Sequence, residues 1–95
     1  MDLSQKVKFP DTIFAQEVDG EMVLLDMNTE NYFGLDEVGT SIWQAIEENE
    51  GELQKVFRAL LDQYDVEEDV LRKDLSVFVD KLEKSGLVRV LHNEY

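Results

Sequence analysis

Ile13-Phe14-Ala15-Gln16-Glu17-Val18-Asp19-Gly20-Glu21-Met22-Val23-Leu24-Leu25 decides how this chain begins to fold. Apolar and β-branched residues stand on either side of Asp19-Gly20, a dipeptide that accepts the positive φ angles of a two-residue type I′ turn. The stretch therefore predicts a β-hairpin, Ile13 to Val18 against Glu21 to Leu25. Working outward, the polar cluster Asn28-Thr29-Glu30 separates the hairpin from Asn31-Tyr32-Phe33-Gly34-Leu35, a short aromatic run that reads as a third strand. The three strands form an antiparallel meander. On the other side, Lys6 to Phe9 precedes Pro10 and predicts a further fragment at the sheet edge, because proline cannot donate to a ladder.

The rest of the chain is helical by periodicity. Asp36 can cap a helix running to Glu48, with Val38, Ile42, Ala45 and Ile46 repeating at helical spacing and Trp43 beside them. Gly51 marks a break. From Glu52 to Tyr64, the residues Leu53, Val56, Phe57, Leu60, Leu61 and Tyr64 make the stripe of a helix buried on one face. Asp65 with Glu68 has the spacing of a capping box and opens a third helix, which Ser85-Gly86 can end through a left-handed glycine. Leu87 to Leu91 follows as a short terminal strand. The expected class is α+β, a three-stranded antiparallel sheet followed by three helices.

At 95 residues the chain is expected to form one domain over residues 1–95, since a second core would leave each half too small to fold unaided. Hydrophobic residues at 43% supply a core, and 22 acidic against 9 basic residues give a net charge of -13. Such a charge repels phosphate backbones and anionic lipid. The absence of cysteine excludes disulfides, thiolate metal sites and a cysteine nucleophile. Met1-Asp2-Leu3-Ser4 lacks the pattern of a secretion signal, and no apolar run reaches the roughly 20 residues that span a bilayer, so a soluble cytoplasmic protein is expected.

Two features hint at a binding surface. Laid out at 100° per residue, the third helix places Leu71, Leu75, Phe78 and Leu82 in one core arc, which Val79 extends. On the other flank Val70 and Val77 alternate with Asp74 and Lys81. This flank fits either a core edge bearing an exposed Asp74–Lys81 ion pair or the wall of a groove for a peptide with alternating apolar and polar side chains. Three strands cannot close into a barrel, so the sheet keeps two edges. Asn31 to Leu35 carries neither proline nor lysine to blunt its edge, so a guest strand could add there unless the terminal strand or the third helix covers it.

Other constellations are weaker. Asp26, Asn28, Glu30, Tyr32 and Glu37 fall at the ligand positions of an EF-hand loop, yet Asn31 stands where the loop needs glycine and a strand precedes where a helix is required. His92, beside Asn93 and Glu94, has no second histidine or cysteine to complete a site. No nucleophile elbow or phosphate loop accompanies Ser4, Ser41, Ser76 or Ser85. Glu47, Glu48, Glu50 and Glu52 read as a solvated helix end. Lys55, Arg58, Arg72, Lys73 and Lys84 are scattered among acids and form no basic stripe, which counts against a DNA-binding domain. The sequence thus predicts no catalysis, metal or cofactor.

Val23-Leu24-Leu25-Asp26, Tyr32-Phe33-Gly34-Leu35-Asp36-Glu37-Val38-Gly39 and Ile42-Trp43 resemble the core signature of the PqqD-like family, and Asp74 to Phe78 with Leu82 and Gly86-Leu87-Val88 is similar to its closing segment. The resemblance covers residues 12 to 91. It implies a winged-helix-like, RiPP recognition element: a domain that binds the leader of a ribosomally made, post-translationally modified peptide as a strand added to the third strand and laid against the third helix. Leu24-Leu25-Asp26-Met27-Asn28 departs from the Leu-Leu-x-Pro-Glu pattern of PqqD proper. The chain looks more like the stand-alone B1 proteins of lasso-peptide biosynthesis, with Asp36 where those often have Asn. The expected peptide-binding residues are Asn31, Tyr32, Phe33 and Gly34 for strand pairing and Val70, Asp74, Val77 and Lys81 for the helix wall. The implied partners are a precursor leader peptide and a leader peptidase or other modifying enzyme. A peptide chaperone for a radical enzyme of a pyrroloquinoline quinone or thioether pathway is the alternative within the family, and a winged-helix regulatory or DNA-binding domain the alternative outside it.

Overall fold

A computed structural model describes residues 3–91, with elements in the order β1 (Lys6–Lys8), β2 (Ile13–Val18), β3 (Glu21–Asp26), β4 (Asn31–Gly34), α1 (Glu37–Glu48), α2 (Leu53–Gln63), α3 (Glu68–Lys84) and β5 (Arg89–Leu91). His92, Asn93 and Glu94 lie outside the described residues. The hairpin closes as its turn residues dictate. Val18 pairs with Glu21, and the two residues between them, Asp19 at φ 52° and Gly20 at φ 83°, are both left-handed. β4 joins the other side of β3, so the meander has the order β2-β3-β4. Together with the three helices this is the expected α+β fold, for which winged helix is only a loose description.

The central strand shows the period of two that a half-buried sheet requires. Met22, Leu24 and Asp26 are buried toward the helices, while Val23 and Leu25 sit half-buried on the outward face. There Phe14, Leu25 and Tyr32 line up across the strands as direct partners. Behind the sheet, Leu24, Trp43, Ile46, Leu53, Val56, Leu60 and Leu75 are nearly or fully buried and form the centre of the core. Phe9 stacks on Trp43 with ring centroids 4.1 Å apart, closing the bottom of that core.

Three expectations need correction. First, Lys6–Lys8 does not extend the meander; it pairs with the terminal strand in a separate two-stranded sheet, Val7 opposite Val90. The reason lies at Gly51. Val7 N–H donates to the Gly51 carbonyl (2.9 Å) and Leu53 N–H to the Gln5 carbonyl (3.3 Å), so the chain start is bound to the α1–α2 turn. Gly51 has φ 76°, and a Cβ there would collide with the Val7 carbonyl.

Second, Asp65 does not cap α3. The helix starts at Glu68 with Glu67 as its N-cap and no side-chain capping bond, because Tyr64 is already extended at ψ 140° and leaves Asp65 two positions too early. Glu68 and Asp69 in the first turn still complement the helix dipole. Third, Val38 is 56% exposed rather than core. The glycine stop of α3 does form: Leu87 N–H bonds to Leu82 O (2.9 Å) and Gly86 N–H to Glu83 O (3.0 Å), a Schellman motif around Gly86 at φ 76°.

Candidate functional site

β4 is an edge strand among the described residues, because β5 pairs with β1 and no described strand lies on the outer side of β4. Which of its backbone groups face outward follows from the register. Leu35 N–H donates to Met22 O at 2.8 Å, one of the two bonds of a hydrogen-bonded register position, the Met22 N–H going instead to Thr40 Oγ1. Positions of this kind alternate with non-bonded ones in an antiparallel ladder, so Phe33 bonds inward to Leu24 while Tyr32, opposite Leu25, and Gly34, opposite Val23, turn their N–H and C=O groups to the open edge. Two residues therefore offer the row of donors and acceptors that a guest strand needs.

The corner from β4 into α1 is held by two short polar side chains. Asp36 Oδ1 accepts from Gly39 N–H at 2.7 Å, the N-cap that the sequence predicts. Thr40, which is buried, accepts from Met22 N–H at 2.8 Å and donates to the Leu35 carbonyl at 3.3 Å. It fastens α1 to both β3 and the end of β4. Gly39 lets α3 approach, since a Cβ there would stand 3.2 Å from a ring carbon of Phe78.

Between this corner and α3 lies a cavity of about 420 Å³, lined on one side by Gly34, Leu35, Asp36, Val38, Gly39 and Ile42 and on the other by Asp74, Val77, Phe78 and Lys81. Of the residues expected to bind a peptide, Gly34, Asp74, Val77 and Lys81 come together in this lining. Asn31, Tyr32 and Phe33 lie along β4 outside it, Phe33 turned into the core and Tyr32 left 72% exposed on the outward face. Val70 sits one turn before Asp74 on the same helical stripe and is half exposed, but does not line the cavity.

Phe78 departs from a pure core role: it is only partly buried and presents a face to the cavity. Val38 and Gly39 also belong to the lining, and sequence reasoning missed both. The signal for Val38 was its place in the first turn of α1, before that helix reaches the core. The alternative reading of the α3 flank, an exposed Asp74–Lys81 ion pair, is not met. The described ion pairs are Lys55–Glu52 and Lys84–Asp80, and seven helical residues put Asp74 and Lys81 about 10 Å apart along the axis.

Elsewhere, Asp26, the first residue of the calcium-like window, uses Oδ1 to accept from Asn28 N–H (2.9 Å) in the turn between β3 and β4. No described helix is long and apolar enough to cross a membrane.

Residues 21–88 match the family of coenzyme PQQ synthesis protein D, PqqD. No curated protein matches the sequence. Among solved structures, TbiB1 in complex with the TbiA(beta) leader peptide superposes with a TM-score of 0.82 at 31% identity, over 90% of this chain and 99% of that one. A lasso peptide synthetase B1 complexed with its leader peptide shares the fold at a TM-score of 0.71 and 23% identity, over 88% of this chain and 98% of that one.

Proposed function

The chain belongs to the PqqD family, and from that premise we propose that it is a non-catalytic adaptor that captures the leader of a ribosomal precursor peptide and presents the peptide to a modifying enzyme. The observation that carries the reading is the open β4 edge lying beside the cavity walled by α3. A peptide entering as a fourth strand bonds to the outward groups of Tyr32 and Gly34. Its alternate side chains then reach the cavity, where Val38, Val77 and Phe78 supply apolar contact. Main-chain pairing gives affinity, and the wall gives selection. Of the residues expected for pairing, Tyr32 and Gly34 thus meet the peptide while Asn31 and Phe33 hold β4 to β3, and Asp74, Val77 and Lys81 act through the helix, with Val70 extending the wall at its N-terminal end.

Residues 1–95 act as one peptide-recognition domain in the cytoplasm. Holding a leader raises the local concentration of the attached core peptide at an enzyme bound to the same adaptor, which accelerates processing without new chemistry. The likeness to TbiB1 supports a lasso-peptide pathway with a leader peptidase as the enzyme. The family description supports service to a radical enzyme of pyrroloquinoline quinone synthesis as the second reading.

Val77→Arg tests the groove. Val77 is 48% exposed, so the substitution leaves the core intact while placing a long cation on the apolar wall. Titration calorimetry with the TbiA(beta) leader peptide is expected to show binding to the wild-type chain and at least tenfold weaker binding to the variant. Equal affinity in a folded variant puts the groove elsewhere.

A further inference from the structure

Asp74 and Lys81 hold the charged ends of the α3 wall, and the helix denies each of them a partner. At the three- and four-residue spacings where helical ion pairs form, Asp74 meets Val70, Leu71, Val77 and Phe78, and Lys81 meets Val77, Phe78, Lys84 and Ser85. The nearest carboxylate in sequence to Lys81, Asp80, is held by Lys84 at 3.0 Å, and Asp36 Oδ1 is held by Gly39 N–H at 2.7 Å. Among the described residues neither Asp74 nor Lys81 has an ion-pair partner. Both are exposed, both line the cavity, and Val77 and Phe78 stand between them.

Given the peptide-binding reading above, on which this rests, we infer that the groove selects strands in which an apolar residue is flanked, two positions to either side, by one basic and one acidic side chain. The spacing follows from two rises. Seven helical residues separate the charges by about 10 Å along α3, and the flexible stem of Lys81 extends that reach. In a strand, side chains on one face recur every second residue at about 3.3 Å per residue, so positions four apart span about 13 Å and enclose one same-face residue. That middle residue meets Val77 and Phe78. The basic side chain meets Asp74 and the acidic one Lys81, each pair partly shielded from water by the guest strand itself.

Selection of a displayed random decapeptide library on the immobilised protein, in parallel with the double variant Asp74→Lys/Lys81→Glu, tests this. Both positions are exposed, so the variant folds, as circular dichroism will check. The wild type is expected to enrich one order of charges around a central apolar residue, and the variant the reverse order. Synthetic peptides of the two orders are expected to differ about fivefold in affinity, with the preference inverted between proteins. Enriched strands with an apolar centre but no charge preference, or the same order on both proteins, overturn the inference and leave the groove standing. Failure of the wild type to enrich any strand overturns the peptide-binding reading itself.

Discussion

Two glycines serve different ends. Gly51 is imposed by the fold: its φ of 76° and the Val7 carbonyl packed against it leave no room for a side chain. Gly51→Ala is therefore expected to destabilise the protein by about 2 to 4 kcal/mol, read as a lower urea midpoint with unchanged slope. Gly34 has nothing within 4 Å of the position a Cβ would take, and it lines the cavity on the open edge. Gly34→Val should leave stability within about 0.5 kcal/mol of wild type, since a β-branched residue suits a strand. It should nevertheless weaken leader binding about tenfold or more, so calorimetry and urea denaturation will separate the two roles. Thr40 was invisible beforehand. Its partners, Met22 and Leu35, lie 18 and 5 residues away, and a threonine on a helix carries no mark of such bonds.

At the scale of elements, legibility followed locality. The β2–β3 turn was readable because Asp19 and Gly20 alone determine it, and α2 because its stripe repeats over the whole helix. The start of α3 was misread because a capping box depends on how the chain enters the helix, which Tyr64 and not Asp65 decides. Glu52 shows another way to begin a helix. It caps α2 without a side-chain bond to the backbone, and its carboxylate instead meets Lys55 Nζ at 2.9 Å. The hydrogen bond and charge of Lys55 hold the Glu52 carboxyl below its usual value of 4.5, and Glu52 in turn raises the Lys55 amine above 10.5. A lowered carboxylate pKa stabilises the fold above its unfolded value, and this contribution is lost as pH falls through the folded value. The raised amine contributes below its unfolded value and loses this as pH rises through the folded one. The pair is exposed, so the effect on stability is small. Lys55→Ala is expected to move the Glu52 midpoint upward toward 4.5 in a carboxyl NMR titration, with no shift counting against the pair.

Over the whole molecule, β1 and β5 pair in a sheet of their own, and among the described residues the outer edge of β4 stays open. That arrangement could not be read from Lys6-Val7-Lys8 or Arg89-Val90-Leu91 alone, because their pairing spans more than 80 residues of sequence. The meander and three helices were legible, whereas the interrupted apolar flank of α3 fitted either a core edge or a groove wall until the cavity beside it was seen. The residues that complete the cavity, Val38, Gly39 and Ile42, became apparent only once α1 was seen to start beside the open edge. The central claim is that this edge and α3 together receive a peptide strand. Its most direct test is to record amide NMR spectra of labelled protein during titration with the TbiA(beta) leader peptide, with a pyrroloquinoline quinone precursor peptide in parallel. Shifts gathered on Asn31 to Leu35, Val38 to Gly39 and Val70 to Lys81 with one of the two peptides are the predicted result and assign the pathway. Shifts on the outer edge of β2 or on the β1–β5 sheet, or none with either peptide, contradict it.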